Sequence, residues 1–167
     1  MTALDKLIAV LEQLEQSHSE MLDLSQWKRQ AIVNNEVDEL IKILNKESRF
    51  MKQLESLEKA RMDSVHEFLQ ERGIKSLLNL SITELSRLVF DHDDKQRLFD
   101  IQQKLSSTLQ ELKRLNELNQ KLIEQSIMFL DLSMEMFSMR PEQEATYKHP
   151  SQAGGAVGRT GLFDARG

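Results

Sequence analysis

Residues 1–139 contain no proline and one glycine, Gly73, whereas both prolines (Pro141 and Pro150) and the other five glycines fall in residues 141–167. Inside a helix, glycine costs about 1 kcal/mol and proline about 3 relative to alanine. A stretch of this length almost free of both residues points to long helices. The composition agrees: Leu, Glu, Gln, Lys and Ser dominate, and only 5% of the 167 residues are aromatic, which favours packed helices over sheets. Residues 140–167 are Gly-rich and polar, with too few apolar side chains to offset the entropy of ordering. They are expected to form a flexible, disordered tail.

Three long periodic segments follow from the apolar spacing. The first carries Leu4, Leu7, Leu11, Leu14, His18, Met21, Ser25, Lys28 and Ile32 on one seam, with Thr2 and Asp5 forming a capping box at its start. Asn34-Asn35 interrupts it, because Asn favours turns and caps, and Asn35 with Asp38 is expected to cap the next helix. The second seam reads Val37, Leu40, Leu44, Glu47, Met51, Leu54, Glu58, Arg61, Val65 and Phe68, and ends at Gly73, a suitable residue to follow a helix C-terminus. Ser81 with Glu84 makes another capping box before a short helix over 82–90. Asp91-His92-Asp93-Asp94 then suits the positive end of a helix dipole. The third seam runs Leu98, Ile101, Leu105, Thr108, Leu112, Leu115, Asn119, Leu122, Ser126, Phe129, Ser133 and Met136.

The expected fold is all-α: helices over about 2–33, 36–72, 82–90 and 92–138, in an elongated antiparallel bundle of three long helices with a short crossover helix. The three long helices would measure about 48, 55 and 69 Å at 1.5 Å per residue. Such helices are marginal alone and need to pack on one another. The third exceeds its partners by several turns, so its end is expected to protrude.

Chemistry is sparse. With no cysteine, disulfides, thiolate metal sites and Cys nucleophiles are excluded. The net charge of −5, with interleaved signs, argues against nucleic-acid binding. The longest apolar run, residues 7–11, is too short to span a bilayer, and no secretory signal opens the chain, so cytoplasmic location is the default. Of the four histidines (His18, His66, His92, His149), none has a second ligand at reliable metal spacing apart from the Asp91–Asp94 cluster. Neighbouring residues on a helix diverge, so that cluster reads as a helix start. His18 reads as a satisfied interior residue on its seam. Ala153-Gly-Gly-Ala-Val-Gly-Arg-Thr160 resembles a phosphate-binding loop, but it has Ala first, Arg159 for Lys, and neither the strand nor the helix that makes such a loop work. Asn79-Leu80-Ser81 is a glycosylation sequon with no secretory context. No serine lies in a nucleophile elbow. Neither an enzyme nor a metal or other cofactor is expected.

The informative stretch is the end of the third helix. Four of the eight methionines fall between Met128 and Met139, beside Ile127, Phe129, Leu130, Leu132 and Phe137. A helix that is apolar all round must be buried on more than one side, and methionine adapts to imperfectly matching partners. Intramolecular packing, a homo-oligomer, or a client's amphipathic helix would each satisfy it.

The run Leu112-Lys-Arg-Leu-Asn-Glu-Leu-Asn-Gln-Lys-Leu-Ile-Glu-Gln-Ser-Ile-Met-Phe-Leu130 resembles the last helix of the FlgN-type flagellar export chaperones, with an Asn116/Asn119 pair like that of Gram-positive-type members. Leu57-Glu-Lys-Ala-Arg61, Tyr147 and the terminal Leu162-Phe-Asp-Ala-Arg166 add to the likeness, which spans the whole chain. The resemblance implies a cytoplasmic chaperone that binds the C-terminal helices of hook–filament junction proteins. It would prevent their premature assembly and deliver them to the flagellar type III export gate. It also implies that the C-terminal helix is the client-binding element, here Leu122, Ile123, Ile127, Met128, Phe129, Leu130, Leu132, Met134, Met136 and Phe137, and that Tyr147 takes part in docking at the gate. The competing reading is a structural coiled-coil scaffold or adaptor that self-associates through the third helix.

Overall fold

The computed structural model describes residues 1–75 and 80–148, with side chains described through residue 138. Among the described residues there are four helices and no strand: α1 (Ala3–Val33), α2 (Val37–Glu71), α3 (Ile82–Ser86) and α4 (His92–Lys148). The chain divides into two compact units, Met1–Leu122 and Ile123–Gly167.

The helix ends follow local chemistry. The Thr2 hydroxyl accepts from the Asp5 backbone N–H, and the Asp5 carboxylate accepts from the Thr2 N–H, closing the anticipated capping box. Ser81 and Glu84 repeat it at α3. Asp91 caps α4 by accepting from the Asp94 N–H at 3.0 Å, which accounts for its place in the acidic cluster. The C-termini of α1 and α2 share one design. The Glu36 N–H donates to the Ala31 carbonyl and the Asn35 N–H to the Ile32 carbonyl; the Ile74 N–H donates to the Leu69 carbonyl and the Gly73 N–H to the Gln70 carbonyl. This double bond pattern needs a left-handed residue just past the helix, and Asn35 (φ 56) and Gly73 (φ 72) supply it.

Four sequence expectations are corrected. Asn35 does not cap α2: it is committed to the left-handed turn, and Glu36 stands at the N-cap with no side-chain bond. The short helix stops at Ser86 instead of residue 90, because the chain tightens to i→i−3 bonds from Leu88 to Leu85 and from Val89 to Ser86. In the first half of α2 the expected seam holds at Leu40 and Glu47 but not at its other positions. Val37, Leu44 and Met51 are exposed, whereas Ile43 is buried and Leu40 and Phe50 pack beside it. Both registers carry apolar residues at 3-4 spacing there, so periodicity alone could not separate them. Finally, α4 continues to Lys148 instead of ending at 138. It does so although Pro141, as an interior proline, lacks a donor and costs about 3 kcal/mol; Glu142 to Ala145 are good helix formers.

Cross-helix bonds in the Met1–Leu122 unit fix the directions. Along α1, Ala3, Lys6, Ser17 and Lys28 meet Glu71, Glu67, Gln53 and Glu47 of α2. Partner numbers fall as α1 numbers rise, so the two helices are antiparallel, as the two-residue Asn turn requires. Asp5, Glu15 and Ser25 meet Arg97, Lys104/Thr108 and Asn116/Asn119 of α4. Here the numbers rise together, so α1 and α4 run parallel, the direction that the crossover allows.

The main core joins one end of all these elements: Leu4, Leu7, Leu11 and Leu14 of α1, Val65, Phe68 and Leu69 of α2, Leu85 and Val89 at the crossover, and Leu98 and Ile101 of α4. Each such side chain contributes about 1.5–3 kcal/mol through burial. A smaller cluster of Leu24, Ala31 and Ile43 lies toward the Asn turn. Between the two, α1 presents polar groups that are paired across helices: buried Glu15 accepts from Thr108 and pairs with Lys104, and Ser17 Oγ accepts from Gln53. Within the span of the smaller cluster, half-buried Lys28 pairs with Glu47 at 3.1 Å.

Candidate functional site

The α4 seam is buried as anticipated through Leu98, Ile101, Leu112, Leu115 and Asn119. Asn119, only 2% exposed, donates from Nδ2 to the Ser25 carbonyl at 2.8 Å and to Ser25 Oγ at 3.2 Å. Ser25 Oγ in turn donates to Asn116 Oδ1 at 2.9 Å. The Asn116/Asn119 pair thus clamps α4 to α1 around one serine. A polar clamp in an otherwise apolar seam fixes register, since a slipped pairing would bury these groups without partners.

Of the ten residues singled out on this helix, Leu122 closes the first unit and Ile123 opens the second, both half-buried. The other eight (Ile127, Met128, Phe129, Leu130, Leu132, Met134, Met136 and Phe137) are all exposed, Phe129 to 71% and Phe137 to 73%. Eight exposed large apolar side chains thus occur within residues 127–137, and they include seam positions Phe129 and Met136. The hydroxyls here are satisfied by their own helix: Ser133 donates to the Phe129 carbonyl at 2.8 Å and Ser138 to the Met134 carbonyl at 3.1 Å. Burial of this stretch against a partner would therefore leave neither of these hydroxyls without a bond.

A second exposed apolar stripe was not identified as such from the sequence. Val37, Ile41, Leu44 and Met51 on α2 are all exposed, at 3-4 spacing with Ser48 in the gap. Three of the four stand on the expected α2 seam, where spacing alone points to core. Nearby Trp27 is 56% exposed, with the Lys46 ammonium 5.9 Å from its ring centroid.

The remaining candidates resolve structurally or lie outside the described residues. Among the described residues, no group of three or more His, Cys, Asp or Glu side chains is placed to hold a metal ion. His18 is half-buried on α1, and burial lowers its pKa below 6.5 against the opposing charges of Glu58 and Glu15. Its Nδ1 is buried with no hydrogen-bond partner among the described residues, so the expectation of a satisfied interior histidine is corrected. Glu15 is a buried carboxylate, and its partners Lys104 and Thr108 make it a cross-helix strut. Tyr147 falls within α4, but its side chain lies outside the described part; the sequon asparagine Asn79, His149 and the glycine-rich stretch 153–160 also lie outside the described residues. No described helix is long and apolar enough to cross a membrane.

Comparison with known proteins bears on the same stretch. A protein-family model described as "FlgN protein" matches residues 1–155, a span that takes in the body and the whole of α4. The chain is also similar to the protein named "Uncharacterized protein YvyG" of Bacillus subtilis (strain 168), 28% identical over 131 residues, which cover 77% of this chain and 78% of the relative. No solved structure matches.

Proposed function

The chain belongs to the FlgN family of flagellar export chaperones, which bind flagellar proteins and are not enzymes, and from that premise we propose that it holds the C-terminal helices of hook–filament junction proteins in the cytoplasm. In this reading it prevents their premature assembly and delivers them to the flagellar type III export gate. The long helices act together as an elongated antiparallel bundle, a scaffold that presents the end of α4. The client-binding residues are Leu122, Ile123, Ile127, Met128, Phe129, Leu130, Leu132, Met134, Met136 and Phe137, and Tyr147 serves docking at the gate.

The observation that carries the proposal is the run of eight exposed apolar side chains over residues 127–137. A soluble protein rarely leaves so much contiguous apolar surface uncovered unless a partner covers it. The mechanism is competitive capping. A client helix that would otherwise pair with neighbours in the growing structure finds a substitute apolar surface on α4. An interface resting on a few large anchors can hold tightly and still yield to a competing site.

Leu130→Asp and Phe137→Asp are each expected to abolish co-purification of the junction protein without changing helicity by circular dichroism, since both residues are exposed. Binding that survives both changes rules out α4 as the client site. The same exposed surface also suits a scaffold that self-associates through α4. Light scattering with and without client separates the two readings: a stable homo-oligomer indifferent to client favours the scaffold.

A further inference from the structure

The distribution of side chains around the end of α4 constrains what can cover it. At 100° per residue, and measuring from Ser133, Phe137, Leu130, Ile123, Met134 and Ile127 fall between about 40° and 120° on one side. Phe129, Met136, Leu132 and Met128 fall between about 40° and 140° on the other. Ser126 and Ser133 lie between the two groups. Glu124, Asp131 and Glu135 gather within about 20° of the opposite pole.

The first group runs at 4-3-4-3 spacing along the helix, which is a complete heptad seam. Phe129, Leu132 and Met136 make a second seam at 3-4 spacing. Together the two seams span an apolar arc of about 260°, whereas one helix packed alongside covers a stripe of little more than 100°. A single client helix would leave a whole seam in water. The serine line between the seams is small and, at Ser133, already bonded to the helix backbone, so two helices can approach each other over it.

We infer that the end of α4 is one member of a three-helix unit, completed by two amphipathic helices from a single client molecule, one seated on each seam. This rests on the proposed function above and specifies the form of its client. The acidic line borders the outer edge of both seams, so each client helix carries Lys or Arg on the edge that meets Asp131 and Glu135. The same line disfavours a second copy of this chain, which would bring carboxylates against carboxylates in a protein already at net charge −5.

The test uses the full-length chain co-expressed with a hook–filament junction protein of the same organism. The photocrosslinking residue p-benzoylphenylalanine replaces Leu130 (first seam) or Leu132 (second seam), and the crosslinked peptides are mapped. The inference expects both positions to crosslink to the client, at two separate client segments, in a complex whose mass holds one client. Crosslinks from both positions to one client segment overturn the two-helix form. A crosslink from either seam to a second copy of the chain also overturns it, while leaving the proposed function standing. A client that co-purifies but crosslinks at neither position removes the site. Failure of the unmodified chain to retain any client defeats the proposed function, and the inference with it. In the same complex, the double change Asp131→Lys and Glu135→Lys is expected to weaken binding about tenfold at low salt and less at high salt; a change below about twofold at low salt contradicts the basic-edged client.

Discussion

One helix, α4, presents two surfaces built from the same residue types. Before Leu122 most of its apolar residues lie on one stripe, where Leu98, Ile101, Leu112 and Leu115 are all buried, and only Phe99 and Leu109 stand exposed beside it. Over residues 127–137 the apolar residues go most of the way round, and all eight are exposed. The difference is not hydrophobicity but supply of partners: among the described residues, one stripe is satisfied by the chain's own helices, while two seams are not. A region that keeps two seams uncovered is selected for something other than stability, and an absent binding partner is the simplest such demand.

The comparison is tested most severely by one substitution made in both regions. Phe68→Ala removes a ring that is 1% exposed in the main core and is expected to cost about 3–5 kcal/mol in urea denaturation. Phe137→Ala removes the same ring where it is 73% exposed and should change stability by no more than about 0.5 kcal/mol, yet weaken client binding. If Phe137→Ala also costs several kcal/mol in the isolated protein, the end of α4 is part of the chain's own core and the contrast fails.

A smaller effect sharpens the contrast by pH. The Thr2 backbone N–H, the Thr2 hydroxyl and Arg97 hold Asp5 at a pKa of about 2, against an ordinary 3.8. A depressed carboxylate contributes stability above about 3.8 that is lost as pH falls through about 2. Burial lowers the pKa of His18 below 6.5, so the unfolded chain takes up that proton first and the fold weakens as pH drops below 6.5. Asp5→Asn and His18→Gln should each flatten their part of the acid limb in thermal melts.

Much of the body was legible in the sequence. Thr2/Asp5 and Ser81/Glu84 specify caps by spacing alone, Gly73 marks a helix end, and the leucines at 4, 7, 11 and 14 mark the α1 seam, although Ile8 and Leu24 beside it are equally buried. The register of α2 was not legible, because Ile43 and Phe50 compete with Leu44 and Met51 beside the shared Leu40, and only contact with α1 decides between them. Nor could spacing reveal that Asn116 and Asn119 share Ser25, a pairing about 90 residues apart along the chain. The Met- and Phe-rich end of α4 stood out in the sequence as apolar all round. In the proposed reading, what covers it is a client that this chain does not encode.

Amide hydrogen exchange on the full-length chain, alone and with a bound junction protein, tests the central claim most directly. The account predicts new protection over residues 123–137, with residues 1–122 unchanged. Protection gained instead along α2, around Ile41 and Leu44, with residues 123–137 exchanging as before, would contradict it.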